Sequence, residues 1–286
     1  MAPEAAILRA TEDDVREFAQ RRWRDAPSQR LYAYLAENAT GGAWTARDAQ
    51  TSVGIGFLHG NSDERYISEL YVEPAFRNQG IGSALYRQLV NDDSIGASAA
   101  LVATDETSGI AFSLRHGIAL RTPIVRVCGT IPPEEDLAGL AYGAYRFHVL
   151  PIDLHAHGNE IDALDRAVRG NARLDDHRMF LSMANGSAIF LEGEFIGYVY
   201  AWPDGRVGPI ATASAAYIAQ CFAFGLVTLR RELGATWCSA GVPGENLRVM
   251  RAALQVGLKI DSMRLFASEV SSGDLRRYVG YHPLLF

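Results

Sequence analysis

The feature that most constrains this chain is one continuous run, Ser68-Glu69-Leu70-Tyr71-Val72-Glu73-Pro74-Ala75-Phe76-Arg77-Asn78-Gln79-Gly80-Ile81-Gly82-Ser83-Ala84-Leu85. Branched and aromatic residues over Tyr66–Val72 predict a strand, and Glu73-Pro74 stops it. Helical periodicity through Leu85 and Leu89 then predicts a helix over Ile81–Val90. A strand therefore feeds through a glycine loop straight into an amphipathic helix. Helix-start amides have no internal acceptors and carry partial positive charge. Gly80 and Gly82 let a diphosphate reach the backbone without a side chain in the way. Asn78, Gln79 and Ser83 add polar contacts, and Arg77 adds a cation. No Gly-Lys-Ser/Thr ending follows, so this is not a nucleotide-hydrolase loop. A dinucleotide fold places its glycine turn after the first strand of the domain, and this loop follows a later one.

The chain has 286 residues, 48% hydrophobic and 21% charged, enough for two well-cored domains and incompatible with disorder. Its net charge of −6 argues against a nucleic-acid partner, which needs a basic surface. No apolar run approaches the ~18–20 residues of a membrane span, so no membrane partner is expected. Met1-Ala2-Pro3-Glu4 has neither the basic nor the apolar region of a secretory leader. Cys128, Cys221 and Cys238 make no disulfide framework or zinc spacing, which fits a reducing cytoplasm. His155-x-His157 has no apparent third ligand and reads as surface histidines, so no metal is expected.

Both halves alternate strand and helix, which predicts an α/β fold. Thr11-Glu12-Asp13-Asp14 is a capping-box helix start, and Arg21 to Arg24 around Trp23 read as a solvated stretch. Ala99–Ala103 is a buried strand, Ile110–His116 a helix closed by Gly117, and Ile118–Leu120 and Val125–Cys128 two further strands. Pro132-Pro133 and the acidic run to Asp136 mark a linker. Asp105–Leu120 aligns without gaps on Glu245–Ile260, Gly117 over Gly257, which predicts a duplicated domain. The expected division is a first domain at 1–131, a linker at 132–145 and a second domain at 146–286.

Arg77-x-x-Gly80-x-Gly82 after Leu70-Tyr71-Val72 resembles the acetyl-coenzyme A signature of the GNAT N-acetyltransferases. The resemblance covers most of residues 1–131. It implies two tandem domains of the acyl-CoA N-acyltransferase fold, each a mixed, mostly antiparallel, splayed sheet flanked by helices. It also implies that Leu70, Tyr71 and Val72 offer backbone groups to pantetheine. Arg77, Asn78, Gln79, Gly80, Ile81, Gly82 and Ser83 would hold the pyrophosphate, and Ser108 is a further cofactor contact. The second half is similar to the C-terminal half of tandem bacterial members through Asp165, Gly170-x-x-Arg173, Gly197-Tyr198, Gly208-Pro209 and Val242-Pro243-x-x-Asn246. Its counterpart loop, Ala211-Thr212-Ala213-Ser214-Ala215, lacks the glycines, so acetyl-CoA is expected in the first domain alone.

The implied activity is transfer of an acetyl group from acetyl-CoA to a primary amine of a small molecule or peptide, direct, in a ternary complex. Proton-handling candidates are Glu69 and Tyr66, with Glu64 an alternative. Strand alternation puts Tyr66, Ser68, Leu70 and Val72 on one face and Glu69 and Tyr71 on the other. Many family members carry a tyrosine four residues before the helix-ending glycine. Here that position is Ser113, a poor acid able to hydrogen-bond the sulfur, with Tyr86 and His116 as substitutes. An acyl-CoA-binding sensor without turnover is the alternative. The expected assembly is a monomer or homodimer.

Overall fold

The computed structural model describes residues 5–60, 64–91, 97–143, 145–270 and 273–286, so Met1–Glu4 lie outside it. Contacts divide the chain into two compact units. The first holds residues up to Leu101 together with Ser268–Val270 and Pro283–Phe286; the second holds 102–267 and 271–282. The elements of the first unit are β1 (Ala6–Arg9), α1 (Glu12–Arg22), α2 (Ala26–Glu37), β2 (Thr40–Asp48), β3 (Thr51–Gly60), β4 (Glu64–Val72) and α3 (Ile81–Leu89), then β5 (Ala97–Ala103), which runs into the second.

Strand order in the first unit is β1-β2-β3-β4-β5, antiparallel except where β4 and β5 run parallel. Its two faces carry different helices for a legible reason. On β3, a β-carbon at Gly54 would meet the Leu85 side chain at 3.3 Å, and one at Gly56 would meet Leu89 at 3.0 Å. The missing side chains let α3 lie close on this face. On the other face Phe57 packs edge-on against Tyr32 of α2 at 4.9 Å, and Phe18 of α1 against Tyr71 at 6.0 Å. The expected capping box is present: Thr11 accepts from the Asp14 amide while Asp14 accepts from the Thr11 amide. Asp14 also accepts from Arg47 of β2 and Ser52 of β3, which pins α1 to that hairpin.

The second unit takes in α4 (Thr107–Arg115) and β6 (Ala119–Thr130), then α5 (Glu134–Ala141), β7 (His148–Pro151), α6 (Leu154–Arg169), α7 (Leu174–Leu181) and β8 (Asn185–Leu191). It continues with β9 (Glu194–Ala201), β10 (Val207–Thr212), α8 (Ile218–Arg231), β11 (Trp237–Pro243), α9 (Leu247–Gln255), β12 (Lys259–Ser268) and β13 (Tyr278–Val279). Its five-stranded sheet has the order β13-β10-β9-β8-β7 and is antiparallel throughout. Gly225 lets α8 approach that sheet, since a β-carbon there would meet Val207 at 2.8 Å and Val199 at 3.0 Å. Among the described residues no helix is long and apolar enough to cross a membrane.

Three features depart from the sequence reading. The strands expected at Ile118–Leu120 and Val125–Cys128 are one strand, β6. Pro123 falls just beyond its last pair with β11, Pro243↔Ile124, where a missing N–H leaves no bond on that side unmade. The stretch 132–145 is no free spacer, because it contains α5. Leu137 and Ala141 of α5 are buried in one cluster with Phe222 and Leu226 of α8, and Glu134 pairs with Arg231. Finally, the compact units cut across the sequence division at 131. Seven residue pairs from Trp237↔Thr130 to Pro243↔Ile124 bind β6 to β11, so α4 and β6 count with the second unit.

Asp14 generates a test. Burial raises its pKa, but hydrogen bonds from Ser52, the Thr11 main chain and hydroxyl, and Arg47 outweigh this and bring it from 3.8 to about 2. A depressed carboxyl pKa contributes stability that is present above the unfolded value and lost as pH falls through the folded one. Stability should therefore drop between pH 3.8 and about 2. Asp14→Ala should cost about 1–2 kcal/mol at neutral pH and flatten that acid limb. Urea melts across pH check both.

Candidate functional site

After β4, a single 3-10 turn at Pro74–Phe76 leads into the glycine loop. Asn78 and Gly80 have φ of +62° and +83°, the left-handed conformation that turns the chain into α3. A β-carbon at Gly80 would meet nothing within 4 Å, so the glycine answers a backbone demand and leaves open space over the loop. The helical ladder starts with Ala84 N bonded to Gly80 O at 2.9 Å. The amides of Gly80, Ile81 and Gly82 thus precede it. Ile81 is buried and anchors the turn, while Asn78, Gln79 and Gly80 are exposed. Gln79 donates to Ala75 O at 3.3 Å. Arg77 is folded back on the strand end: its Nε donates to Val72 O at 3.0 Å and its guanidinium lies 5.8 Å from the Tyr71 ring. Ser83 lies in the first turn of α3.

The strands beside this loop diverge. β4 and β5 pair in parallel at Glu64↔Ala97, Arg65↔Ser98 and Tyr66↔Ala99. Beyond that, β4 runs on through Leu70, Tyr71 and Val72 with no further β5 partner among the described residues. In the chain this part of β4 leads to the glycine loop.

A bulge corrects the expected alternation. Phe57 pairs with Glu69 but Leu58 with Ile67, so Ser68 is an extra residue on β4. Every side chain beyond it changes face. Tyr66, Glu69 and Tyr71 share the face of Phe57, under α1 and α2, while Ile67, Leu70 and Val72 share the face of Gly54 and Gly56. Ser68 Oγ is buried with no hydrogen-bond partner in the described structure. No sequence signal marks it, because its neighbours alternate as an unbroken strand would.

Glu69 is buried and pairs with Arg22 of α1 at 3.3 Å, and that guanidinium also lies 4.3 Å from the Tyr71 ring. Arg22, expected in a solvated stretch, is instead part of this cluster. Burial lowers its pKa, and the Glu69 carboxylate outweighs that and raises it. Arg21 beside it pairs with Glu73 at 3.0 Å. Tyr32, fully buried, has a hydroxyl with no partner among the described residues. Burial first, then the Glu69 charge, holds its phenol proton in place. Tyr66 donates its hydroxyl proton to Pro283 O at 2.7 Å, and Leu284, Leu285 and Phe286 after it are buried. The cluster thus joins Glu69 to two residues the sequence reading left outside the site, Arg22 and Tyr32.

Ser108 and Ser113 belong to α4, in the second unit. Ser108 is exposed. Ser113 is buried, and its Oγ donates to Gly109 O one turn back at 3.0 Å. Of the two substitutes, Tyr86 is buried with its hydroxyl 3.3 Å from Ser98 Oγ, and His116 caps α4 against Phe112.

The second unit repeats the divergence and fills it. β10 and β11 meet in parallel through the bridge Arg206↔Ser239. β13 then enters between them: Ile210 pairs with Val279, Ala211 with Tyr278, and Gly280 bridges to Gly241. Gly208 has no side chain to obstruct it, since a β-carbon there would strike Gly280 O. Side chains hold β13 in place. Arg173 Nη2 donates to Tyr278 OH at 2.8 Å, and Asn246 Nδ2 donates to Tyr278 O at 2.9 Å. Arg173 also faces Asp165 at 3.4 Å, which accepts from Tyr198 and contacts His177 at 2.9 Å, all of them buried. Burial raises the Asp165 pKa, and Arg173 first, then His177 and Arg169, reverse this and take it well below the usual carboxylate range. The loop before α8 is closed on itself, with Ala216 N and Tyr217 N bonded to Ser214.

Comparison with known proteins agrees with this geometry. Residues 8–116 match the model of the acetyltransferase (GNAT) family. A protein of Pyrococcus horikoshii, provisionally assigned as an acetyltransferase, superposes with a TM-score of 0.72 at 14% identity, covering 96% of this chain and 93% of its own. A tandem GNAT protein from the clavulanic acid biosynthesis pathway gives 0.60 at 15% identity, over 94% and 98%. A GCN5-related N-acetyltransferase from Sphaerobacter thermophilus gives 0.60 at 12% identity, over 94% and 95%. Among curated proteins none matches.

The two ion pairs differ in burial, and their removal should differ accordingly. Arg173→Ala strips a partner from a carboxylate with no exposure and should cost about 3–5 kcal/mol. Arg22→Ala removes a side chain that is 33% exposed and leaves a carboxylate that is 8% exposed, so it should cost less, about 1–3 kcal/mol. Chemical denaturation of the two variants tests the order.

Proposed function

From a GNAT domain over residues 8–116 and the GNAT fold over the whole chain, we propose that the first unit binds acetyl-CoA and transfers its acetyl group to a primary amine. The observation that carries this reading is the contrast between the two divergences. Beside β4 the parted strand edge leads to a left-handed glycine turn and an open helix start; beside β10 the same space holds β13. One cofactor site per chain follows. The amides of Gly80, Ile81 and Gly82 would hold the diphosphate, with Arg77, Asn78, Gln79 and Ser83 around it. The main chain of Leu70, Tyr71 and Val72 would pair with the pantetheine arm, as a strand would. Ser108, in α4, is carried as a further cofactor contact on the family resemblance alone.

Acetyl-CoA would supply the activated thioester. The chain's contribution is placement: bringing amine and thioester together replaces a bimolecular encounter with a local one. The amine nitrogen attacks the thioester carbon, the carbon–sulfur bond breaks, and the amine proton leaves as the sulfur gains one. A main-chain amide of β4 near Leu70 or Tyr71 would donate to the developing oxyanion. Glu69, in ion pairing with Arg22, suits the role of anionic acceptor for a protonated amine, with water removing its proton. Tyr66 acts by holding Pro283. Ser113 is carried as a candidate near the sulfur on the family resemblance alone, and its hydroxyl proton is already donated to Gly109 O. The acceptor is a small-molecule or peptide amine. The three free cysteines among the described residues suit a bacterial cytoplasm. A monomer or homodimer suffices, since the site needs no second copy.

The engagement of Ser113, where family members carry a tyrosine, favours a second reading as an acyl-CoA sensor without turnover. Calorimetry with acetyl-CoA should give one equivalent per chain, at least 100-fold weaker for Gly80→Asp, which places a like charge and a β-carbon at a left-handed position. A thiol-release assay over an amine panel then separates the readings. Release with at least one amine supports transfer; binding without release supports the sensor. Absence of binding, or two equivalents per chain, removes the proposal.

A further inference from the structure

A hollow of about 580 Å³ lies in the first unit between α1 and α2, closed at one end by β1 and β2. That volume falls within the range of small-molecule sites, ~300–1,000 Å³. It lies by β1 and β2, two strands away from β4, which leads to the glycine loop. Its cause is local. The two helices face each other through residues recurring every three or four positions, and the packing positions are alanines: Ala19 on α1, Ala33 and Ala36 on α2, with Ala43 at the end. Methyl groups make ridges too short to fill the groove between two helices.

The cations are at the same end. Arg9 lies across Gly42, where any β-carbon would overlap its guanidinium, and glycine also accommodates the φ of +78° there. Arg9 donates to Gly41 O and stacks 4.2 Å from the Trp44 ring, so it is held in place. The start of α1 at Thr11 and Glu12 lines this end as well. Arg16 and Arg30 flank the opening, one from each helix. Arg16 pairs only with exposed Asp13, and Arg30 has no ion pair among the described residues. Glu12 and Glu37 are the opposing charges of the lining and Asp13 matches Arg16, so an anion would be met by Arg9, which makes no ion pair among the described residues.

We infer that this hollow is a second ligand site, for a small amphipathic carboxylate. The apolar body would lie along the alanine floor and the carboxylate would meet Arg9. Its separation from the glycine loop makes it an effector site rather than part of the transfer cleft, and the inference stands independently of the reading of that loop.

Titration of the full chain with sodium octanoate, followed by calorimetry, tests it, with 1-octanol as the neutral probe. One saturable equivalent is expected, with a dissociation constant below about 1 mM. Octanol should bind about tenfold more weakly, as should octanoate to Arg9→Ala, a substitution at an exposed position. Ala33→Leu, which fills the hollow, should abolish binding while the circular dichroism spectrum and acetyl-CoA titration stay those of the parent. No saturable binding, equal binding of octanol, or unchanged binding in Ala33→Leu overturns the inference.

Discussion

Two parallel strands that part after a few residue pairs leave main-chain donors and acceptors facing a gap, and each of those groups needs a partner. This demand organises both units. In the second it is met from within the chain: β13 enters, pairs with β10 and bridges to β11. In the first, no strand of the described residues is interposed between β4 and β5, and the parted edge points at a helix start whose own amides also lack acceptors. On the proposed reading, one elongated ligand with a diphosphate end satisfies both sets of groups.

The two units share one packing device. Gly54 on β3 and Gly197 on β9 each remove a side chain that would collide with a neighbouring carbonyl, Tyr71 O and Ala211 O respectively. The halves then diverge in what lies beneath their first helices. Below α1 and α2 the charged cluster of Arg22 and Glu69 keeps one partner partly in water. Below α6 and α7 the cluster of Asp165, Arg173 and His177 is fully enclosed and reaches Tyr278 of the inserted strand. An enclosed ionic network is held by its own partners, because each lost contact leaves a charge in a medium of low dielectric. A partly hydrated pair costs less to rearrange, which on the proposed reading suits a site that admits an acceptor.

Several residues were visible in the sequence for one reason and matter in the structure for another. Asp165, Arg173, Tyr198 and Asn246 carried the resemblance of the second half, and they turn out to hold β13 or its supports in place. Tyr66 stood out by its place on β4, and its hydroxyl holds Pro283, more than two hundred residues along the chain. Arg22 read as solvated because its neighbours are charged, yet the end of α1 brings it over Glu69. Contacts of this range leave no periodicity or spacing to read.

Local patterns alone determined the strand, glycine loop and helix at 66–90, the capping box at Thr11 and the α/β alternation, since each depends on residues close in sequence. Tertiary structure decided what such patterns leave open. One extra residue at Ser68 moved Tyr66 onto the face of Glu69, and pairing with β11 carried β6 into the second unit. Insertion of β13 closed one cleft, and alanine-faced helices left a hollow where leucines would have met. Register, strand exchange and the filling of gaps depend on which distant segments compete for the same hydrogen bonds and the same space, and that competition is settled only when the whole chain folds.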